Sequence, residues 1–95
     1  MDLAELLTAI SALDNPHRLR IVAALHGERL HVSELARRIG ISRPLLYMHL
    51  EKLETAGLVK GTLELEGSNA MKYIELQPFD IRLTPASIAV AGEES

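Results

Sequence analysis

The 95-residue sequence has no cysteine, no tryptophan and a single phenylalanine, and each gap narrows what it can be. Without cysteine there is no disulfide framework and no thiolate metal site. With so few aromatic rings the core must be aliphatic, built from Leu, Ile, Val and Ala. No apolar run approaches the roughly 18 residues that a membrane-spanning helix needs. Met1 to Leu13 lacks a basic start and carries Asp2 and Glu5, so it does not read as a signal peptide. The expected compartment is the cytoplasm, with no membrane contact by this segment. The sequence also lacks a Gly-rich phosphate loop, a Ser/His/Asp arrangement and paired carboxylates in a plausible cleft, and a single small domain leaves little room for a deep enclosed site. An enzyme is not expected, and no cofactor is implied.

Positive charge is scarce overall, at a net −3, but it is not evenly spread. Residues 1 to 15 hold Asp2, Glu5 and Asp14 and no base. Residues 16 to 60 hold eight Lys and Arg against four Glu, together with all four histidines, and residues 61 to 95 return to acidity with two bases against six acids. A local basic face on an acidic body is therefore expected, and local potential is what attracts phosphate.

Leu3, Leu6, Leu7, Ile10 and Leu13 keep helical spacing from Asp2 onward, and Asp14-Asn15-Pro16 ends that run. Asn15 caps a second helix opened by Pro16, with an apolar stripe of Leu19, Val22 and Leu25, Ile21 beside it, and Gly27 as its stop. A shorter helix, SELARRIG, begins with Ser33 as its N-cap and turns Leu35 and Ile39 inward. Only Gly40, Ile41 and Ser42 separate it from a fourth helix, whose Leu46, Leu50 and Leu53 form an inward stripe. So short a turn with a glycine forces the two helices to cross steeply, as in a helix-turn-helix.

After Gly57 the period changes from 3.6 to 2. Val59, Gly61, Leu63 and Leu65 alternate with polar residues, Gly67-Ser68-Asn69 supplies turn chemistry, and Lys72, Ile74 and Leu76 alternate again, which predicts a two-stranded hairpin. Phe79, Ile81 and Leu83 alternate as an arm. Thr84-Pro85 opens a last short helix, Pro85 to Val90, and residues 92 to 95 are expected to fray. The expected fold is mainly α with a β-hairpin wing, four helices and then two strands, over one domain of residues 1–91 and a flexible tail at 92–95.

NPHRLRIVAAL, then SELARRIGISRPLLYMHLEKLETAGLV, then a hairpin ending KYIEL resembles the ArsR/SmtB family of winged-helix transcriptional regulators across roughly residues 12 to 77. The resemblance rests on several elements in order: Pro16 and Arg18, Glu34-Leu35-Ala36, Gly40-Ile41-Ser42, Pro44, His49-Leu50, and Ala56-Gly57-Leu58-Val59. It implies a homodimer that binds operator DNA, as a repressor, with the fourth helix in the major groove and the wing over residues 58–76 beside the minor groove.

The residue chemistry agrees with that implication. Arg43, Pro44, Tyr47 and Met48 share a helix side turned away from the leucine stripe, next to an N-terminal turn whose N–H groups favour phosphate. Arg43 suits a guanine edge or phosphate, Tyr47 a sugar or phosphate, and Met48 a thymine methyl. Ser42, Lys52, Asn69 and Lys72 complete the candidate DNA contacts. Two departures from the family pattern stand out. Where metal-sensing members carry a Cys-Val-Cys type pair, this sequence reads His31-Val32-Ser33, and the final helix is short, so no metal site is expected. His17 and His26 do not share a helix face, and His49 matches a family position packed between the fourth helix and the core. With a short final helix, the first helix must supply more of the dimer seam, and Leu3, Leu7 and Ile10 with Phe79 and Ile88 are the candidates. The alternative reading is a winged-helix protein-interaction module, or the cytosolic domain of a longer regulatory protein, motivated by the acidic total.

Overall fold

The computed structural model describes residues 1–94. Its elements run α1 (Leu3–Leu13), α2 (Pro16–Leu25), β1 (Leu30–His31), α3 (Val32–Ile39), α4 (Arg43–Thr55), β2 (Val59–Glu66), β3 (Asn69–Leu76) and α5 (Pro85–Glu93). This is the winged helix-turn-helix arrangement expected from the spacing, with two elements altered. The sheet has three strands in the order β1-β3-β2, all antiparallel, because Leu30 and His31 pair with Ile74 and Tyr73. Two residues are too few for alternation to announce a strand. The final helix extends three residues beyond the expected Val90, so Gly92 and Glu93 are helical and Glu94 is the C-cap. Ser95, the last residue of the expected tail, lies outside the described residues. A reciprocal capping box between Thr84 and Ser87 fixes the start of this helix.

The core is aliphatic throughout. Ile21, Leu35, Leu46, Leu50, Leu53 and Ile74 are fully buried, so α2, α3, α4 and the root of β3 share one centre. In α4 the stripe is the expected one. In α2 it is not: Leu19 is 54% exposed and Val22 only packs on the margin, while Ile21 and Leu25 go inward together with Arg18. The helix is rotated so that a guanidinium, not Leu19, completes the inner stripe.

Two glycines set the geometry that matters for function. Gly40 ends α3 at φ 79°, ψ 34°, the left-handed region that favours glycine, and its N–H bonds the Ala36 carbonyl. Two residues later Ser42 caps α4 by accepting from the Leu45 N–H at 3.3 Å. At the wing tip Glu66 pairs with Asn69, so the loop is only Gly67-Ser68, and Asn69 belongs to the strand. Gly67 at φ 65° followed by a residue of negative φ is the pattern of a type II′ hairpin turn. The molecule is elongated, measuring 52 × 24 × 22 Å.

Candidate nucleic-acid interface

The N-terminal turn of α4 lies at the surface, and Arg43, Pro44, Tyr47 and Met48 are all exposed there. Tyr47 and Met48 are 43% and 63% exposed, which is high for large apolar side chains in a helix whose other side is fully buried. Arg43 is anchored across the turn, where its guanidinium donates to the Ser33 hydroxyl of α3. That contact holds the arginine at the mouth of the helix pair and leaves its other donors for a partner. Ser33 does not cap α3, because the helix already begins at Val32. The cap is His31, whose Nδ1 accepts from the Glu34 N–H at 3.4 Å, contrary to the expectation from the stronger capping preference of serine.

Lys72 joins this face from the wing. Its ammonium lies 5.4 Å from the centre of the Tyr47 ring, a cation–π distance. Gly61 makes the crossing feasible, since a Cβ there would lie 2.7 Å from Lys72 Cε. Lys72 is therefore a mid-strand residue leaning on α4, not a tip residue. Asn69 is exposed at the far end of β3 and, three positions away, on the opposite face of the hairpin. Lys52 is exposed one turn beyond Met48, and both line an open groove that separates α4 from Leu7, Thr8 and Ser11 of α1.

The wing is held on its other face by a second set of polar contacts. Arg29, just before β1, forms a two-pronged ion pair with Glu64, and its guanidinium lies 4.1 Å from the centre of the Tyr73 ring. The Tyr73 hydroxyl donates to Glu66 at 2.5 Å. The Arg29 hydrogen bond holds the Glu64 carboxyl below the usual carboxylate range. On α3, hydrogen bonds from Arg37 and then Arg38 hold the Glu34 carboxyl down at about 2. Both of those arginines are thus partly neutralised, and the least encumbered positive groups beside α4 are Arg43, Lys52 and Lys72.

A helix-turn-helix domain profile matches residues 13–62 of the chain. The HTH-type transcriptional regulator MJ0229 of Methanocaldococcus jannaschii is 39% identical over 79 residues, covering 83% of each chain. Among solved structures, the transcriptional repressor BigR of Xylella fastidiosa is 29% identical, with a TM-score of 0.62 over 80% of this chain and 70% of that one. The homodimeric winged helix-turn-helix DNA-binding domain Mb0332 of Mycobacterium bovis, a possible ArsR-family regulator, shares the fold with a TM-score of 0.68 at 24% identity, over 97% of this chain and 68% of that one. The chain is an HTH-type transcriptional regulator.

HTH-type transcriptional regulators are DNA-binding proteins and not enzymes. In this one the structure brings Ser42, Arg43, Pro44, Tyr47, Met48 and Lys72 to one continuous surface, puts Lys52 at its α1 side and leaves Asn69 apart. The sequence reading missed Ser33 as the partner of Arg43, and Arg29 as the anchor of the wing. It also missed a buried junction between α1, α2 and α4. Arg18 donates from Nε to the Ala12 carbonyl at 2.6 Å, from Nη2 to the Ser11 carbonyl at 3.4 Å, and from Nη1 to His49 Nδ1 at 3.0 Å. Arg18 stands three residues before Ile21 and seven before Leu25, on the same helix side, but that spacing alone does not name its acceptors.

No three His, Asp or Glu side chains converge on a metal-sized site among the described residues. His31 is committed to its cap and lies edge-on to Tyr73. Zinc is accordingly expected neither to raise the melting temperature nor to release DNA. Calorimetric titration showing tight stoichiometric uptake, lost in His31→Ala, would contradict this.

Proposed function

We propose that this chain is a cytoplasmic homodimeric repressor of the ArsR type that reads the major groove with residues 43–56, while the wing over 58–76 contacts the adjacent minor groove and backbone. Residues 1–91 act as one DNA-binding and dimerisation unit, and the dimer seam includes Leu3, Leu7, Ile10, Phe79 and Ile88. The observation that carries the reading is the exposed α4 face: an arginine at the positive end of a helix, with Tyr47 and Met48 beside it and Lys72 alongside, on a fold whose core is complete without them. The repressor description of BigR and the homodimeric description of Mb0332 support it by analogy. No helix among the described residues is long and apolar enough to cross a membrane.

The test is selection of bound sequences from a random DNA library, followed by titration of variants on the selected operator. Arg43 reads a base edge in this proposal, so Arg43→Ala is expected to cost about 1 to 3 kcal/mol on the operator and relax one position of each half-site. Lys72 grips phosphate, so Lys72→Ala weakens all sequences alike and flattens the salt slope by about one unit per site. Equal loss on operator and random DNA in Arg43→Ala would make it a phosphate anchor and move base reading to Tyr47 or Met48. If neither substitution alters DNA binding, the α4 face serves a protein partner instead.

A further inference from the structure

The wing has two faces of opposite chemistry. On the side turned toward α4, Gly61, Leu63 and Leu65 of β2 pair with Ile74, Lys72 and Ala70 of β3. This side starts in the core, where Ile74 is fully buried, and runs out to Leu63 at 71% and Leu65 at 82% exposure. The other side carries Glu64, Glu66 and Glu75, two of them tied to Arg29 and Tyr73. All three hairpin carboxylates beyond Thr62 are thus turned away from α4. The Glu54 carboxylate of α4 approaches the apolar side at its root, beside Gly61.

Single exposed leucines are ordinary on a protein surface. Here two lie on one strand face, next to Lys72, and Lys72 bridges them to Tyr47 on the α4 surface. A strand face that carries no acid of its own, and which continues a surface suited to DNA, fits a polyanion better than an arbitrary protein partner. Leucine has nothing to offer phosphate. It does fit the deoxyribose walls and floor of a minor groove, where apolar side chains pack or wedge at easily deformed base steps.

We propose that Leu63 and Leu65 are DNA-contacting residues, packing into the minor groove that flanks each α4 half-site and giving the regulator a preference for A·T-rich, deformable flanks. The assignment rests on the DNA-binding reading of α4. It adds a contact that releases no counterions and reads shape, not base identity.

The test is a Leu63→Thr/Leu65→Thr double variant, which places β-branched strand formers at exposed positions. Wild type and variant are titrated by fluorescence anisotropy on the selected operator, with the flanks either A·T or G·C and at several salt concentrations. The double variant is expected to melt at the wild-type temperature, bind the A·T-flanked operator roughly 10-fold more weakly with an unchanged salt slope, and lose the distinction between flanks. Wild-type affinity with the flank preference intact would overturn the leucine assignment while leaving the α4 reading in place. So would a shift to monomer in sedimentation, which would assign the leucines to a second copy of the chain. Failure of the wild type to bind any DNA would overturn both readings together.

Discussion

Leu7→Asp is expected to convert the regulator to folded monomers and to abolish operator binding. The helix that carries Leu7 has its chemistry inverted relative to an ordinary surface helix. Apart from Leu6, α1 turns alanines inward, at Ala9 and Ala12, while Leu7 is 55% exposed and Leu3 and Ile10 are 37% and 38% exposed. The domain core therefore uses the small side of α1 and leaves the large side at the surface, where Phe79, Ile88 and Val90 are also exposed. A two-fold seam would bury those leucines at about 1.5 to 3 kcal/mol each, and two introduced carboxylates would remove that gain and add a desolvation penalty. Loss of at least about 100-fold in dimer affinity follows, since each 1.4 kcal/mol is tenfold. DNA binding falls with it, because two linked α4 helices about 34 to 36 Å apart engage successive turns of B-DNA as one bivalent unit. The variant should keep its helical circular dichroism. A variant still dimeric by sedimentation would remove α1 from the interface.

Much of this architecture was legible because it follows from period and turn chemistry. Leu46, Leu50 and Leu53 gave the inner side of α4, Gly40 and Ser42 gave the crossing of α3 and α4, and the alternation after Gly57 gave the wing. What escaped has identifiable causes. The α2 stripe was misjudged because hydrophobicity favoured Leu19 over Arg18, and nothing local says that a guanidinium will find three acceptors on two other helices. Side-chain preference assigns the α3 cap to Ser33, whereas the helix starts one residue earlier, at Val32, so that His31 takes the cap and Ser33 meets Arg43. β1 exists only through its pairing with β3, a long-range contact without a local period. The α4 face and the wing leucines were visible as residue types, but their continuity through Lys72 needed the three-dimensional register.

Arg18→Met is expected to destabilise the folded chain by about 2 to 4 kcal/mol, lowering its melting temperature by roughly 10 to 20 °C at fixed protein concentration. Arg18 is 92% buried in effect, with only 8% exposure, and none of its hydrogen bonds goes to a carboxylate. Its charge is balanced by the C-terminal end of α1, whose last turn has no base of its own and presents the Ser11 and Ala12 carbonyls. Because arginine only donates, His49 Nδ1 must accept, which fixes His49 as the neutral tautomer with its proton on Nε2. Burial pushes the His49 imidazole below its ordinary 6.5, and the positive charge of Arg18 and then His17 push the same way. A folded-state value below the unfolded one means that the stabilising contribution is complete above about pH 6.5 and is lost as pH falls through the lowered folded value. Protonation would set a second donor against Arg18 in a site flanked by the His17 ring, 5.4 Å away centre to centre. Stability measured by urea unfolding should therefore decline on the acid side of pH 6.5, and the decline should be reduced in His49→Gln, whose amide oxygen still accepts from Arg18 but does not titrate. An unchanged acid limb in that variant would place the sensitivity elsewhere, and an Arg18→Met protein as stable as the parent would deny the junction its structural role.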